Sequence, residues 1–223
     1  MGCSLEQNSN PEPAVAPSVF EGIAESIVAK GYGVFPMALP EELVGALSEH
    51  VRAMSSEQFK QAGVGRDQRH TVDDLVRSDE VCWISDDFDA GGAWLEWSAQ
   101  LQTFLNRRLF LGLFSFESHF AHYASGDFYK MHRDAFKGES NRVLSIVVYL
   151  NPNWQPEDGG ELVIQLSESA QDIVKVIPDF GTVVVFLSEE FPHEVLPARC
   201  DRYSIAGWFR LNTSSTERVD PPS

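Results

Sequence analysis

Cysteine is scarce and poorly spaced for crosslinking. Cys3, Cys82 and Cys200 are odd in number, far apart and free of any CxxC pair, which speaks against a disulfide framework and against a cysteine-rich structural zinc site. Long apolar runs are also missing. No stretch approaches the roughly 20 apolar residues of a membrane-spanning helix, and no apolar signal region precedes Cys3. The start Met1-Gly2-Cys3-Ser4 has Glu6 where N-myristoylation needs Ser or Thr. These absences set the expectation of a soluble chain in a reducing cytoplasm. Basic residues are few as well: 17 Lys and Arg stand against 33 Asp and Glu, a formal charge of -16. Such a field repels phosphate backbones and anionic lipid, so neither a nucleic-acid nor a membrane partner is expected.

What is present suits one globular domain. The 223 residues are 43% apolar, enough for a single sizeable core. Residues 1–17, rich in Pro, Asn, Ser and Ala, read as a disordered tail. One domain is expected over 18–212, made of helical support and a working loop at 18–111 and a sheet region at 112–212, with a flexible tail at 213–223. Ser18 to Glu21 has capping-box form, and Phe20, Ile23, Ile27 and Val28 keep helical spacing until Gly31. A short strand at Tyr32 to Phe35 precedes a helix started by Pro40 and carrying Leu43, Leu47, Val51 and Met54. Residues 63–80, with Arg66, Arg69 and Arg77, lack periodicity and read as the loop. A third helix at about 92–109 carries the core stripe Trp94, Trp97, Leu101, Phe104 and Leu105. From there the pattern changes to short runs rich in Val, Ile, Phe and Tyr at 116–123, 142–150, 161–166, 172–177, 182–187 and 202–210. Turn residues between them favour antiparallel pairing, and the fold class is α+β with a jelly-roll core.

In an extended chain residues i and i+2 project to one side, so His132 and Asp134 can clasp one ion together. His193, after the apolar run Thr182 to Leu187, is placed to be a third ligand. Two histidines and a carboxylate suit iron(II) with positions left open, although zinc hydrolases use the same set. His50, His70, His119 and His122 bring no second carboxylate-containing set together and read as structural or exposed, with His122 kept as an alternative ligand.

Nine positions after His193 comes Arg202, at the start of a strand running into the barrel. A buried guanidinium needs a partner, and its planar fork matches a carboxylate. An internal ion pair would serve as well as a ligand.

Taken together, HxD, a later His and an Arg about nine residues on resemble the Fe(II)/2-oxoglutarate-dependent dioxygenases, over roughly residues 116–210. Asp158-Gly159-Gly160-Glu161-Leu162 matches the glycine hairpin frequent in that family. Tyr123, Tyr129, His132, Asp134, Arg142, Tyr149-Leu150-Asn151, Trp154, His193, Arg202 and Trp208 fall in the order seen in prolyl 4-hydroxylases of the hypoxia-inducible-factor type. The resemblance implies a double-stranded β-helix with the N-terminal helices packed on one sheet. It implies iron(II) on His132, Asp134 and His193, 2-oxoglutarate held by Arg202 and Tyr149 beside Tyr123, O2 as co-substrate and ascorbate as reductant. Arg77-Ser78-Asp79 with Trp83-Ile84 resembles that group's mobile substrate-covering loop, so Arg77, Asp79, Tyr129, Arg142 and Trp208 become candidate substrate contacts. The implied partner is a protein with an exposed proline, a translation protein such as elongation factor Tu being one candidate. Hydroxylation of another substrate class, or an idle jelly-roll binding module, are the competing readings.

Overall fold

The computed structural model describes residues 16–62, 75–135 and 141–212. The expectations for the N-terminal tail before Ala16, for the tail at 213–223 and for the loop between 63 and 74 lie outside the described residues. Helix α1 (Ala16–Lys30) starts two residues before Ser18 and ends at Gly31. That glycine has φ +75°, and a Cβ there would meet Phe191 at 2.9 Å, so the chain can reverse tightly against the barrel only without a side chain. Helix α2 (Glu41–Ala53) follows Pro40 and buries Val44, Leu47 and Val51. Helix α3 (Asp89–Leu109) buries Trp94, Trp97, Leu101 and Leu105 and stops at Phe110 in the left-handed region. Trp94 Nε1 donates to Ser118 Oγ at 3.0 Å, tying α3 to the sheet below.

Eleven strands follow in chain order: β1 (Tyr32–Phe35), β2 (Lys60–Gln61), β3 (Glu80–Trp83), β4 (Leu113–Tyr123), β5 (Tyr129–His132), β6 (Arg142–Tyr149), β7 (Leu162–Gln165), β8 (Ile173–Val176), β9 (Val183–Leu187), β10 (His193–Val195) and β11 (Arg202–Leu211). They form a seven-stranded sheet, β1-β9-β6-β11-β4-β3-β2, and a four-stranded sheet, β5-β10-β7-β8. The strand pairs are antiparallel. This is the jelly roll expected from the turn-separated apolar runs.

Strand alternation divides the large sheet into two chemically different faces. Phe120, Leu144, Ile146, Val148, Val183, Val185, Ile205 and Phe209 pack with the helices in one core cluster. The intervening residues Ala121, Tyr123, Tyr149, Val184 and Phe186 join Leu162, Ile164, Val176 and Val195 from the small sheet in a second. The helices thus cover the outer face and leave the inner face free to build a pocket.

Candidate metal and co-substrate site

The inner face presents its side chains in cross-strand rows. Phe186, Ser145, Trp208 and Glu117 share one row. Val184, Val147, Ala206, His119 and Trp83 form the next. Tyr149, Ser204, Ala121 and Val81 follow, and Arg202 with Tyr123 closes the series. Opposite this wall, β5 and β10 pair with His193 directly across from His132.

That pairing converts residues 61 positions apart in the sequence into one cluster. Ligand atoms of His132, Asp134 and His193 all lie within 4.8 Å of one another. His132 Nε2 is 3.7 Å from Asp134 Oδ1, and His193 Nε2 is 3.6 Å from Asp134 Oδ2. His132 Nδ1 donates to the Lys130 carbonyl at 2.8 Å and His193 Nδ1 to the Phe191 carbonyl at 3.0 Å. Each bond fixes the tautomer that leaves an Nε2 lone pair facing the cluster. Burial lowers the His193 pKa to about 4, against the pull of Asp134, so the ring is neutral. Burial acts to raise the Asp134 pKa, but His193, His132 and the Ser145 hydroxyl outweigh it and hold the carboxylate well below its usual range. Two imidazoles and one carboxylate are the donor set that suits iron(II).

Ser145 Oγ donates to Asp134 Oδ2 at 2.7 Å and lies 2.8 Å from Ser188 Oγ. Neither serine was among the expected site residues. Ser145 could have been found by counting back from Tyr149, because residues four apart on a strand share a face.

At the far end of the pocket Arg202 is buried, with its guanidinium between the rings of Tyr123 (4.9 Å) and Tyr149 (5.1 Å). Nε donates to the Gly160 carbonyl at 2.9 Å and Nη1 to Ser204 Oγ at 3.2 Å. Among the described residues no acidic side chain forms an ion pair with it, so the internal pair left open above is not what buries it. The Tyr149 hydroxyl is buried and has no hydrogen-bond partner among the described residues. Burial pushes its pKa up to about 12 despite the neighbouring Arg202, so it remains a donor. A buried cation and an orphaned phenol beside it form a receptor for a carboxylate.

Gly160 sets the height of that receptor. Its φ is +71°, and a Cβ would stand 2.9 Å from the Ala198 Cβ and 3.1 Å from the Arg202 Cδ. Gly160→Ala is expected to cost about 1–3 kcal/mol of stability, the usual scale of a non-glycine residue held at positive φ. It should also raise the requirement for the carboxylate ligand as Arg202 is displaced. Denaturant unfolding and ligand titration check the two effects separately.

Of the proposed substrate contacts, Trp208 lies on the inner-face wall and Tyr129 on β5 opposite it. Arg142 lies 3.6 Å over the Trp208 ring and donates to Glu117 Oε1 at 3.0 and 2.7 Å, while Arg210 donates to Glu117 Oε2 at 3.0 Å. Arg77 grips the fully buried Asp79 at 2.7 and 2.6 Å. Arg142, Glu117 and Arg210 thus form one paired group, and Arg77 and Asp79 another. Trp83 is 58% exposed at the rim, edge-on to His119 at 5.2 Å. It lies on β3, paired with β4, where a mobile loop was expected.

His119 is a buried member of the wall, standing between Trp83 and Trp208. Burial lowers its pKa to about 4 from 6.5, with Arg77 adding to the effect. The unfolded chain therefore binds a proton at this residue between those values that the folded chain does not. Stability should fall as pH drops from about 6.5 to about 4, by up to about 1.4 kcal/mol per unit from this group. Urea unfolding of the metal-free chain at pH 7, 5.5 and 4.5 should show a shallower fall for His119→Gln.

Known proteins match this architecture. The 2OG-Fe(II) oxygenase superfamily profile matches residues 118–210. A solved prolyl-4-hydroxylase from Pseudomonas putida is 37% identical, with a TM-score of 0.77 over 86% of this chain and 98% of that one. A prolyl hydroxylase from Trichoplax adhaerens, solved with a hypoxia-inducible-factor oxygen-degradation-domain peptide, has a TM-score of 0.75 at 24% identity, over 87% of this chain and 90% of that one. Egl nine homolog 1 of Rattus norvegicus is 30% identical over 86 residues, which are 38% of this chain and 25% of that protein. The chain thus matches only about a quarter of that curated relative's length.

A jelly roll that gathers two histidines, a carboxylate and a buried carboxylate-seeking arginine is the scaffold of a non-haem iron oxygenase, and the chain belongs to the 2OG-Fe(II) oxygenase superfamily. That membership implies iron(II), 2-oxoglutarate and O2. The solved chains similar to it include a prolyl-4-hydroxylase and a prolyl hydroxylase. Among the described residues no helix is long and apolar enough to cross a membrane.

Proposed function

We propose that the chain is a 2-oxoglutarate-dependent prolyl hydroxylase that converts an exposed proline of a protein substrate to 4-hydroxyproline. The observation that carries this reading is the buried Arg202 with the unpartnered Tyr149 hydroxyl, in the same pocket as the His132, Asp134 and His193 cluster. In this reading a five-carbon dicarboxylate bridges the two, its distal carboxylate on Arg202 and Tyr149. The likeness to the Pseudomonas putida enzyme supports proline as the target.

Iron(II) held by the three ligands would couple O2 to 2-oxoglutarate, yielding succinate, carbon dioxide and the hydroxylated substrate, with one oxygen atom going to succinate and one to the product. The protein's own part is binding and alignment. Asp134 supplies the negative charge of the ligand set, the backbone carbonyls of Lys130 and Phe191 orient the two imidazoles, and Ser145 holds the carboxylate. Apolar side chains around Tyr149, including Val184, Phe186 and Ile164, keep water from the deep end. Arg77, Asp79, Tyr129, Arg142 and Trp208 frame the approach of the substrate, with Trp83 on its rim. Ascorbate serves as reductant in this reading. The cytoplasm is its setting, consistent with free Cys82 and Cys200.

The test is anaerobic loading with iron(II), then O2 and 2-oxoglutarate, with succinate quantified and proline-containing proteins, elongation factor Tu first, analysed by peptide mass. A 16 Da gain on a proline is the expected result. Succinate formation with the gain on another residue or on a small molecule would overturn the prolyl assignment, and no succinate under any condition would overturn the oxygenase reading.

A further inference from the structure

We propose that Arg77 and Tyr129 are positioning residues for the metal ligand His132, forming with it a guanidinium, phenol and imidazole column that sets how tightly the centre holds its metal. The inference rests on the metal-centre reading above and concerns side chains outside the ligand set.

The two histidines are held very differently. His193 lies on β10, which has β5 on one side and β7 on the other, and its ring packs on Phe186 at 4.7 Å. His132 lies on β5, the edge strand of the small sheet, whose pairing with β10 is irregular between His193 and Val195. Its side chain is 17% exposed against 7% for His193. An edge strand with one neighbour offers a ligand less restraint.

The missing neighbour is supplied by residues 76–79. Lys130 N donates to the Val76 carbonyl at 2.9 Å, Ser78 N donates to the Phe128 carbonyl at 3.2 Å, and Arg77 forms an antiparallel bridge with Tyr129. Phe128 N donates to Ser78 Oγ at 3.1 Å. The side chains repeat the connection one layer deeper. The Arg77 guanidinium lies 4.2 Å from the Tyr129 ring centroid, and Tyr129 stacks on His132 at 3.5 Å and 14°.

The column is anchored at its far end. Arg77 meets Asp79 through two hydrogen bonds, Asp79 is fully buried, and its carbonyl accepts from Ala62 N at 2.9 Å. From Asp79 the chain passes directly into β3 of the large sheet. The column therefore fastens an edge-strand ligand to the opposite sheet. The Nδ1 bond to Lys130 fixes one edge of the His132 ring, and the stacked phenol fixes its plane. Both restraints are needed to aim one lone pair at a point.

Cobalt(II) titration of the full metal-free chain, followed by heat release and visible absorption, reads the proposal without turnover. Tyr129→Phe keeps the ring and should bind within about twofold of wild type. Tyr129→Leu removes the ring and should bind about 10–100-fold more weakly, the scale of outer-shell losses at metal sites. Arg77→Lys keeps a charge for Asp79 but loses the planar face, so it carries the test if Tyr129→Leu does not fold. Its loss should combine with that of Tyr129→Leu to less than the product of the two, because both break one column. Wild-type cobalt affinity in folded Tyr129→Leu and Arg77→Lys would overturn the proposal, even with turnover reduced, since the residues would then act on substrate alone. A wild-type chain that binds no cobalt would overturn the centre itself, and the column with it.

Discussion

Asp134→Ala is expected to abolish succinate formation and to weaken metal binding by more than the roughly 10–100-fold that loss of an outer-shell partner costs. Asp134 is the anionic member of the cluster, and its removal leaves only two imidazoles facing a dication. Ser145→Ala provides the graded comparison: the ligand stays, but its 2.7 Å hydrogen bond is lost, so metal affinity should fall within that 10–100-fold range. The metal-free Asp134→Ala chain should be less stable than wild type at pH 7, because the two histidines and Ser145 favour the ionised carboxylate in the fold and that stabilisation is fully present above the usual carboxylate range. Ser145 keeps Ser188 as a partner once Asp134 is gone. Cobalt titration, succinate quantification and urea unfolding of the metal-free chains separate these effects. Wild-type metal affinity in Asp134→Ala would remove the carboxylate from the ligand set.

The metal cluster was legible in the sequence because extended-chain geometry is local: residues 132 and 134 share a side whatever the tertiary fold. Their distance to His193 was not. It depends on the β5 and β10 pairing, and these strands of four and three residues carry Lys130, Met131 and Glu194 in place of an apolar alternation. His193 was therefore placed only by its position after the apolar run Thr182 to Leu187. The six longer runs announced their strands because β-branched and aromatic residues dominate them. Arg77 and Asp79 read as candidate substrate contacts on a covering loop, and their burial was hidden for the opposite reason. Alternating charges in a polar stretch read as surface, and only the folded chain shows one of them fully buried under the other. His119 was set aside for lack of a carboxylate nearby, whereas its place on the inner face follows from its parity with Ala121 and Tyr123 on one strand. Parity within a strand was thus recoverable from sequence, and contact between strands was not.

Arg202→Ala should raise the KM for 2-oxoglutarate by about 30- to 1,000-fold, the range corresponding to roughly 2–4 kcal/mol for loss of one partner of a buried charge pair. Wild-type Arg202 is poised for that role by what it lacks: it bonds the Gly160 carbonyl and Ser204 Oγ, sits between two phenol rings and has no counter-ion among the described residues. Arg202→Lys retains charge but loses the fork that can engage both oxygens of a carboxylate, so its KM should lie between the two. Tyr149→Phe removes one neutral donor, whose loss is typically worth about 0.5–1.5 kcal/mol, and should raise KM by only about threefold to tenfold. The order wild type, Tyr149→Phe, Arg202→Lys, Arg202→Ala is the result that identifies the deep end as the site of the distal carboxylate. Cobalt affinity without 2-oxoglutarate should stay near wild type throughout the series, because none of these side chains contacts the three ligands in the structure. A series in which metal affinity fell in parallel with KM would instead mean that Arg202 maintains the shape of the whole pocket, and its isolation from any acidic partner would then need another explanation.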